Sequence, residues 1–104
     1  VLGETARSDH FSVNGYSKNL TNPLMSKKDI VSIRNVTACG TSTAISVPCI
    51  FSGLSRSDFD PEKAKNQSNL LDILDTAGIK VSWIDNNSGC QGVCVRTGET
   101  DITE

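Results

Sequence analysis

Cys39 and Cys49 stand ten positions apart and enclose Gly40-Thr41-Ser42-Thr43-Ala44-Ile45-Ser46-Val47-Pro48. This stretch limits the fold more than any other. Ile30-Val31-Ser32-Ile33-Arg34-Asn35-Val36-Thr37, rich in β-branched residues, reads as a strand that delivers the chain to Cys39. From Ala44 to about Leu54 the apolar residues could line a helix, with Pro48 removing one backbone hydrogen bond inside it. A Thr or Ser at the junction is a natural N-cap, because its oxygen accepts an otherwise unpaired amide hydrogen. The same place suits an anion, since free N–H groups and the positive end of the helix dipole converge there. Taken alone, the pattern reads first as a capped, stapled helix and second as a nucleophile beside a phosphate site.

The four cysteines are compatible with two disulfides, a metal site or free thiols. Their spacing, C-x9-C and then C-x3-C, fits the usual zinc-binding pairs poorly. Pairing by proximity, Cys39 with Cys49 and Cys90 with Cys94, is the simplest connectivity and implies an oxidising compartment. A net charge of −2 without a long basic block argues against nucleic acid as a partner. No apolar run approaches the roughly 20 residues that cross a bilayer.

At 104 residues the chain is one domain or a piece of one. Val1-Leu2-Gly3-Glu4 reads as the end of a buried strand, and Thr97 to Glu104 as a tail that closes no element. The expectation is therefore a partial domain over 1–104, with sequence missing on both sides. Asn14-Gly15 and Asn22-Pro23 are turn signals, and Pro23 suits the start of a short helix to Lys28. Asp60-Pro61-Glu62 is a helix start, while Leu70, Leu71, Ile73, Leu74 and Ala77 mark a buried helix face that stops at Gly78. Ile79, Val81 and Trp83 alternate with polar residues as a half-buried strand, followed by the polar turn Asp85-Asn86-Asn87-Ser88-Gly89. This order predicts an α/β fold with a parallel sheet. Ligands gather at the carboxyl ends of strands in such sheets, which directs attention to Glu4, the Thr41–Thr43 turn and Asn86–Ser88. His10, the single histidine, has nothing in its neighbourhood that marks it as catalytic.

Gly3-Glu4-Thr5-Ala6-Arg7-Ser8-Asp9-His10, Asn14-Gly15-Tyr16, Cys39-Gly40-Thr41-Ser42-Thr43-Ala44 and Ser46-Val47-Pro48-Cys49 closely resemble the phosphoethanolamine transferases. These lipid A–modifying enzymes of Gram-negative bacteria include the intrinsic and mobile colistin-resistance enzymes. Asn69-Leu70-Leu71-Asp72-Ile73-Leu74 and Asp85-Asn86-Asn87-Ser88-Gly89-Cys90 continue the match. The resemblance implies an alkaline-phosphatase-like (sulfatase-like) α/β fold, of which this chain is the N-terminal part of the catalytic domain. It implies a zinc-dependent transfer of phosphoethanolamine from phosphatidylethanolamine to lipid A, through a covalent intermediate on threonine, conferring polymyxin (colistin) resistance. Thr43 matches the nucleophile and zinc ligand, Glu4 the glutamate on the same zinc, and Thr41, Asn87 and Ser88 the phosphoethanolamine pocket. Gln91 stands where some members carry a lysine. The family's catalytic domain lies at the periplasmic face of the inner membrane, on a membrane-spanning domain. Its other zinc ligands are expected beyond this chain, so residues 1–104 alone are expected to bind zinc weakly and not to turn over.

Other enzymes of the same superfamily are the alternative, such as phosphoglycerol transferases, phosphatases or sulfatases. No Cys/Ser-x-Pro-x-Arg motif of the sulfatase kind surrounds Thr43. A small disulfide-stapled secreted binding module is the non-enzymatic alternative.

Overall fold

A computed structural model of the chain describes residues 1–18 and 23–102. They fall into two compact units, Val1–Thr37 and Ala38–Glu104.

The first unit is built from short 3₁₀ turns, Ser8–His10, Ser12–Asn14 and Pro23–Lys27. Asn14 ties it together: its amide donates to the Ser8 carbonyl at 2.7 Å, and its oxygen accepts from the Ser32 hydroxyl. Gly15 turns the chain at φ +93°, which a side chain would resist, as the Asn14-Gly15 signal predicts. His10 packs against Tyr16 with ring centroids 4.9 Å apart, a structural contact. Pro23 opens its helical turn as expected, and Asn22 lies outside the described residues. Two expected strands do not form. Val1 and Leu2 are exposed and irregular, and residues 30–37 run outside any strand with Val31, Ile33 and Val36 on the surface. β-branched composition supplies a preference for extended backbone, whereas a strand also needs a neighbour to take its N–H and C=O groups. Among the described residues neither segment has one.

In the second unit, helix α1 spans Thr43–Ser52 and continues through Pro48. Gly53 ends it in the left-handed region, while the Ser52 hydroxyl bonds back to the Cys49 carbonyl and accepts the Leu54 amide. Helix α2, Pro61–Lys65, starts where Asp60-Pro61-Glu62 places it: the Asp60 carboxylate accepts the amides of Glu62 and Lys63. Helix α3, Leu70–Thr76, has a reciprocal capping box. The Asn69 side chain accepts the amides of Leu71 and Asp72, and the Asp72 carboxylate accepts that of Asn69. At its other end Ile79 N–H bonds to Leu74 C=O and Gly78 N–H to Asp75 C=O, a Schellman stop that only a residue tolerant of φ +83° can make.

Strand β1, Trp83–Asp85, pairs in parallel with β2, Glu99–Asp101, in the register Trp83↔Glu99, Ile84↔Thr100, Asp85↔Asp101. The predicted strand thus starts later than Ile79, whose amide closes α3. The alternation survives, with Val81, Trp83 and Asp85 half-buried and Ser82 and Ile84 exposed. The carboxyl-terminal tail was expected to close no element. It supplies β2 instead, because residues 86–98 give the chain length that a parallel return requires. The core joins α1, α3 and this return through Val47, Leu71, Cys90, Val93 and Cys94. Phe51 and Trp83 meet edge to face against it, centroids 5.5 Å apart.

Candidate active site

The cysteines pair as spacing predicts. Cys39 and Cys49 are joined with Cα atoms 6.2 Å apart, and Cys90 and Cys94 with Cα atoms 5.9 Å apart. The first bond ties the turn at residues 39–42 to the buried second turn of α1, so both ends of the Thr41–Thr43 segment are anchored. Gly40 is fixed by proximity: a Cβ there would lie 2.5 Å from the Cγ2 of Ile45. The turn is therefore folded tightly back on the helix it precedes.

Thr43 is the first residue of α1 and is half-buried, with Thr41 and Ser42 exposed before it. Ser42 is the N-cap, in extended conformation, and its side chain makes no capping hydrogen bond. The first reading of this stretch, a helix capped by a hydroxyl, is not what forms. Asp60 and Asn69 cap the other two helices with side-chain oxygens, so the contrast lies within one unit. At α1 the cap contributes its backbone carbonyl, which accepts the amides of Ile45 and Ser46. An uncapped first turn is the place where an anionic group gains most from helix N–H groups and dipole.

The second element of the site follows β1. Asp85 folds the loop, its Oδ1 accepting the amides of Asn87 at 2.7 Å and Gly89 at 3.0 Å. Those two backbone bonds hold the Asp85 carboxyl below the ordinary carboxylate range. Asn87 and Ser88 are left exposed at the loop tip. The Gln91 side-chain amide then donates to the Ser88 carbonyl at 2.9 Å and reaches the Ser88 hydroxyl at 3.4 Å. Ala44, next to Thr43, and Gln91 line one cavity of about 380 Å³ with Pro48, Ala64 and Val93, so α1 and this loop border a common space.

Beneath the loop lies a network that sequence reasoning missed. The Asn69 amide donates to the Val93 carbonyl at 2.7 Å. Arg96 grips the Asp72 carboxylate through two donors and reaches the Gln67 carbonyl. That grip holds the Asp72 carboxyl below its ordinary range and the Arg96 guanidinium above its own. Asn69 and Asp72 lie within the matched motif, but nothing in their spacing points to partners 24 residues away.

Glu4 belongs to the first unit, exposed at a bend rather than at a strand end. The Thr5 hydroxyl donates to its Oε1 at 2.9 Å, from a backbone at φ +50°. For a metal, the donor count is decisive. Among the described residues no three His, Cys, Asp or Glu side chains gather as a ligand set, and all four cysteines are consumed in disulfides. A zinc site takes three or more protein ligands, so these residues do not make a complete one.

A sequence family described as Sulfatase matches residues 1–103. Phosphoethanolamine transferase EptA of Salmonella typhimurium is 48% identical over 104 residues, which is all of this chain and 19% of that protein. Among solved structures, the integral membrane protein lipooligosaccharide phosphoethanolamine transferase A (EptA) of Neisseria meningitidis superposes with a TM-score of 0.87 at 48% identity, covering 95% of this chain and 19% of that one. The C-terminal periplasmic domain of phosphoethanolamine transferase EptC of Campylobacter jejuni gives 0.86 at 41% identity, covering 97% and 33%. The chain thus spans about a fifth of the full-length relatives it matches. It belongs to the sulfatase family, with the alkaline-phosphatase-like fold, and its likeness there is to phosphoethanolamine transferases.

Proposed function

We propose that the protein carrying this chain transfers phosphoethanolamine from phosphatidylethanolamine to lipid A, with Thr43 as the nucleophile. The Thr43 oxygen attacks the donor phosphorus, the bond to the diacylglycerol oxygen breaks, and diacylglycerol leaves with the threonine proton. A hydroxyl oxygen of the acceptor then attacks that phosphorus, the bond to the Thr43 oxygen breaks, and Thr43 takes up the proton that the acceptor hydroxyl releases. One observation carries this reading. Thr43 opens a helix whose N-cap side chain is not spent on the first turn, in a segment pinned by Cys39–Cys49. Such a turn can receive the charge that builds on phosphoryl oxygens during transfer. Thr41, Asn87 and Ser88, all exposed, are the neutral partners assigned to the phosphoethanolamine group.

Zinc belongs to this reading with Glu4 and Thr43 as two of its ligands and the others outside residues 1–104. Bound there, it would lower the cost of ionising the threonine hydroxyl. The names of the relatives support a membrane-associated, periplasmic enzyme, and we place the activity at the periplasmic face of the inner membrane, with colistin resistance as its consequence.

Intact mass after incubation of the full-length protein with phosphatidylethanolamine should show a phosphoethanolamine adduct, and Thr43→Ala should lose it. An adduct that persists in Thr43→Ala moves the nucleophile elsewhere, with Thr41 the next candidate. Metal analysis of residues 1–104 alone should find no tight stoichiometric zinc; finding it would place the full ligand set inside this chain.

A further inference from the structure

Gln91 occupies a position that a glutamine reaches at a cost. Its φ of +53° lies in the left-handed region, where most side chains are disfavoured. It sits between Gly89 and Gly92, inside the turn closed by Cys90–Cys94, so the backbone is set by its surroundings rather than by Gln91 itself. A glycine would be easier there. What the glutamine adds is its side chain, half-buried, with Nε2 directed at both oxygens of Ser88.

The chemistry of that contact is directional. An amide nitrogen only donates, so Ser88 Oγ is the acceptor and its own proton is left for another partner. Ser88 is exposed at the loop tip, and Gln91 lines the same cavity as Ala44, the neighbour of Thr43. The loop carries no positive side chain from Val81 to Val95, and its one ionised group is Asp85, turned onto backbone amides. Lys65 and Arg96 also line that cavity, each paired with a carboxylate, Glu62 and Asp72, so what the loop itself offers an anion is neutral donors.

We propose that Gln91 is a positioning residue for the donor's phosphate ester: by holding the Ser88 carbonyl and hydroxyl, it aims the Ser88 proton at a phosphoryl oxygen. The inference rests on the transferase reading above. It makes phosphate recognition at this loop a matter of hydrogen-bond direction rather than of fixed charge.

The test is steady-state transfer by the full-length protein, with phosphatidylethanolamine in detergent micelles as donor. Gln91→Gly removes the side chain while relieving the backbone, so thermal stability should stay within a few degrees of wild type. The donor KM should rise about five-fold, the worth of one ordinary hydrogen bond, with kcat within about two-fold. In a Ser88→Ala background the same change should add nothing, since both act through one contact. Gln91→Lys, which keeps a donor at similar reach, should hold KM near wild type and make it sensitive to salt. An unchanged KM in Gln91→Gly, or effects of the two single changes that multiply, would overturn the assignment. A wild-type protein that forms no adduct and transfers nothing would instead overturn the transferase reading itself.

Discussion

Replacing Asn69 is the most searching test of how the site is supported. One side chain makes three bonds: Oδ1 accepts the amides of Leu71 at 2.9 Å and Asp72 at 3.2 Å, and Nδ2 donates to the Val93 carbonyl at 2.7 Å. Asn69 is 8% exposed, so water cannot readily replace what is lost. Losing a helix cap costs about 1 kcal/mol. Leaving a buried carbonyl without its donor costs roughly 1–3 kcal/mol more. Asn69→Ala should therefore destabilise the second unit by about 2–4 kcal/mol, a large part of the roughly 5–15 kcal/mol that holds a domain folded.

Asn69→Ser separates the two terms, because serine caps about as well as asparagine but does not reach Val93. It should recover about 1 kcal/mol of the alanine cost and leave the tether broken. Native-state hydrogen exchange on the full-length protein reads the terms residue by residue. In Asn69→Ser the amides of Leu71 and Asp72 should keep their protection while those around Val93 to Arg96 lose it. In Asn69→Ala both groups should exchange faster. Equal protection losses in the two variants, or a total cost for alanine below about 1 kcal/mol, would mean that the Asn69–Val93 bond does not hold the return segment in place.

The Thr41–Thr43 turn offers a steric test. Gly40→Ala sets a methyl group against Ile45 Cγ2, an overpacking expected to cost about 1–3 kcal/mol and to displace Thr43. Adding Ile45→Ala should restore part of the lost transfer rate; if it restores none, Gly40 matters for another reason. The Asp72–Arg96 pair makes a pH prediction. Arg96 lowers the folded-state value of Asp72 below the unfolded one, so the pair's contribution is complete above about pH 5 and fades as pH falls through the depressed value. Acid unfolding of Arg96→Leu should begin at higher pH than in wild type, and coincident acid transitions would count against this.

Local chemistry made much of the second unit readable from sequence. Asp60-Pro61-Glu62 forms the helix start and Gly78 the helix stop that the sequence predicts, each through bonds within a few residues. The disulfides follow the same rule, at separations of ten and four. Misreadings arose where the outcome depended on partners far along the chain. Ile30–Thr37 carries the composition of a strand without a pairing neighbour among the described residues, while Glu99–Asp101, poor in strand formers, is a strand because β1 lies beside it. The candidate site divides in the same way. Thr43 and Ser88 are candidates through motif resemblance alone, whereas the unspent Ser42 cap and the Gln91 contact are properties of geometry.

That division bears on how the Thr41–Thr43 turn is made. The Cys39–Cys49 bond and the close approach of Gly40 to Ile45 both act within ten residues and need no sheet around them. The Ser88 loop is equally local: Asp85 and Gln91 hold it from within four residues on either side. The hydrogen bonds of Asn69 and Asp72, each spanning 24 residues, join helix α3 to the segment that follows this loop, beside the apolar contact of Leu71 with Val93 and Cys94. The two candidate devices are thus each built locally, and their mutual placement depends on the shared core and a few long-range bonds. Loss of a loop contact should shift KM at nearly constant stability, as expected for Gln91→Gly, whereas overpacking at Gly40 lowers stability as well. Damage to a tether should lower stability first and alter both kinetic constants together.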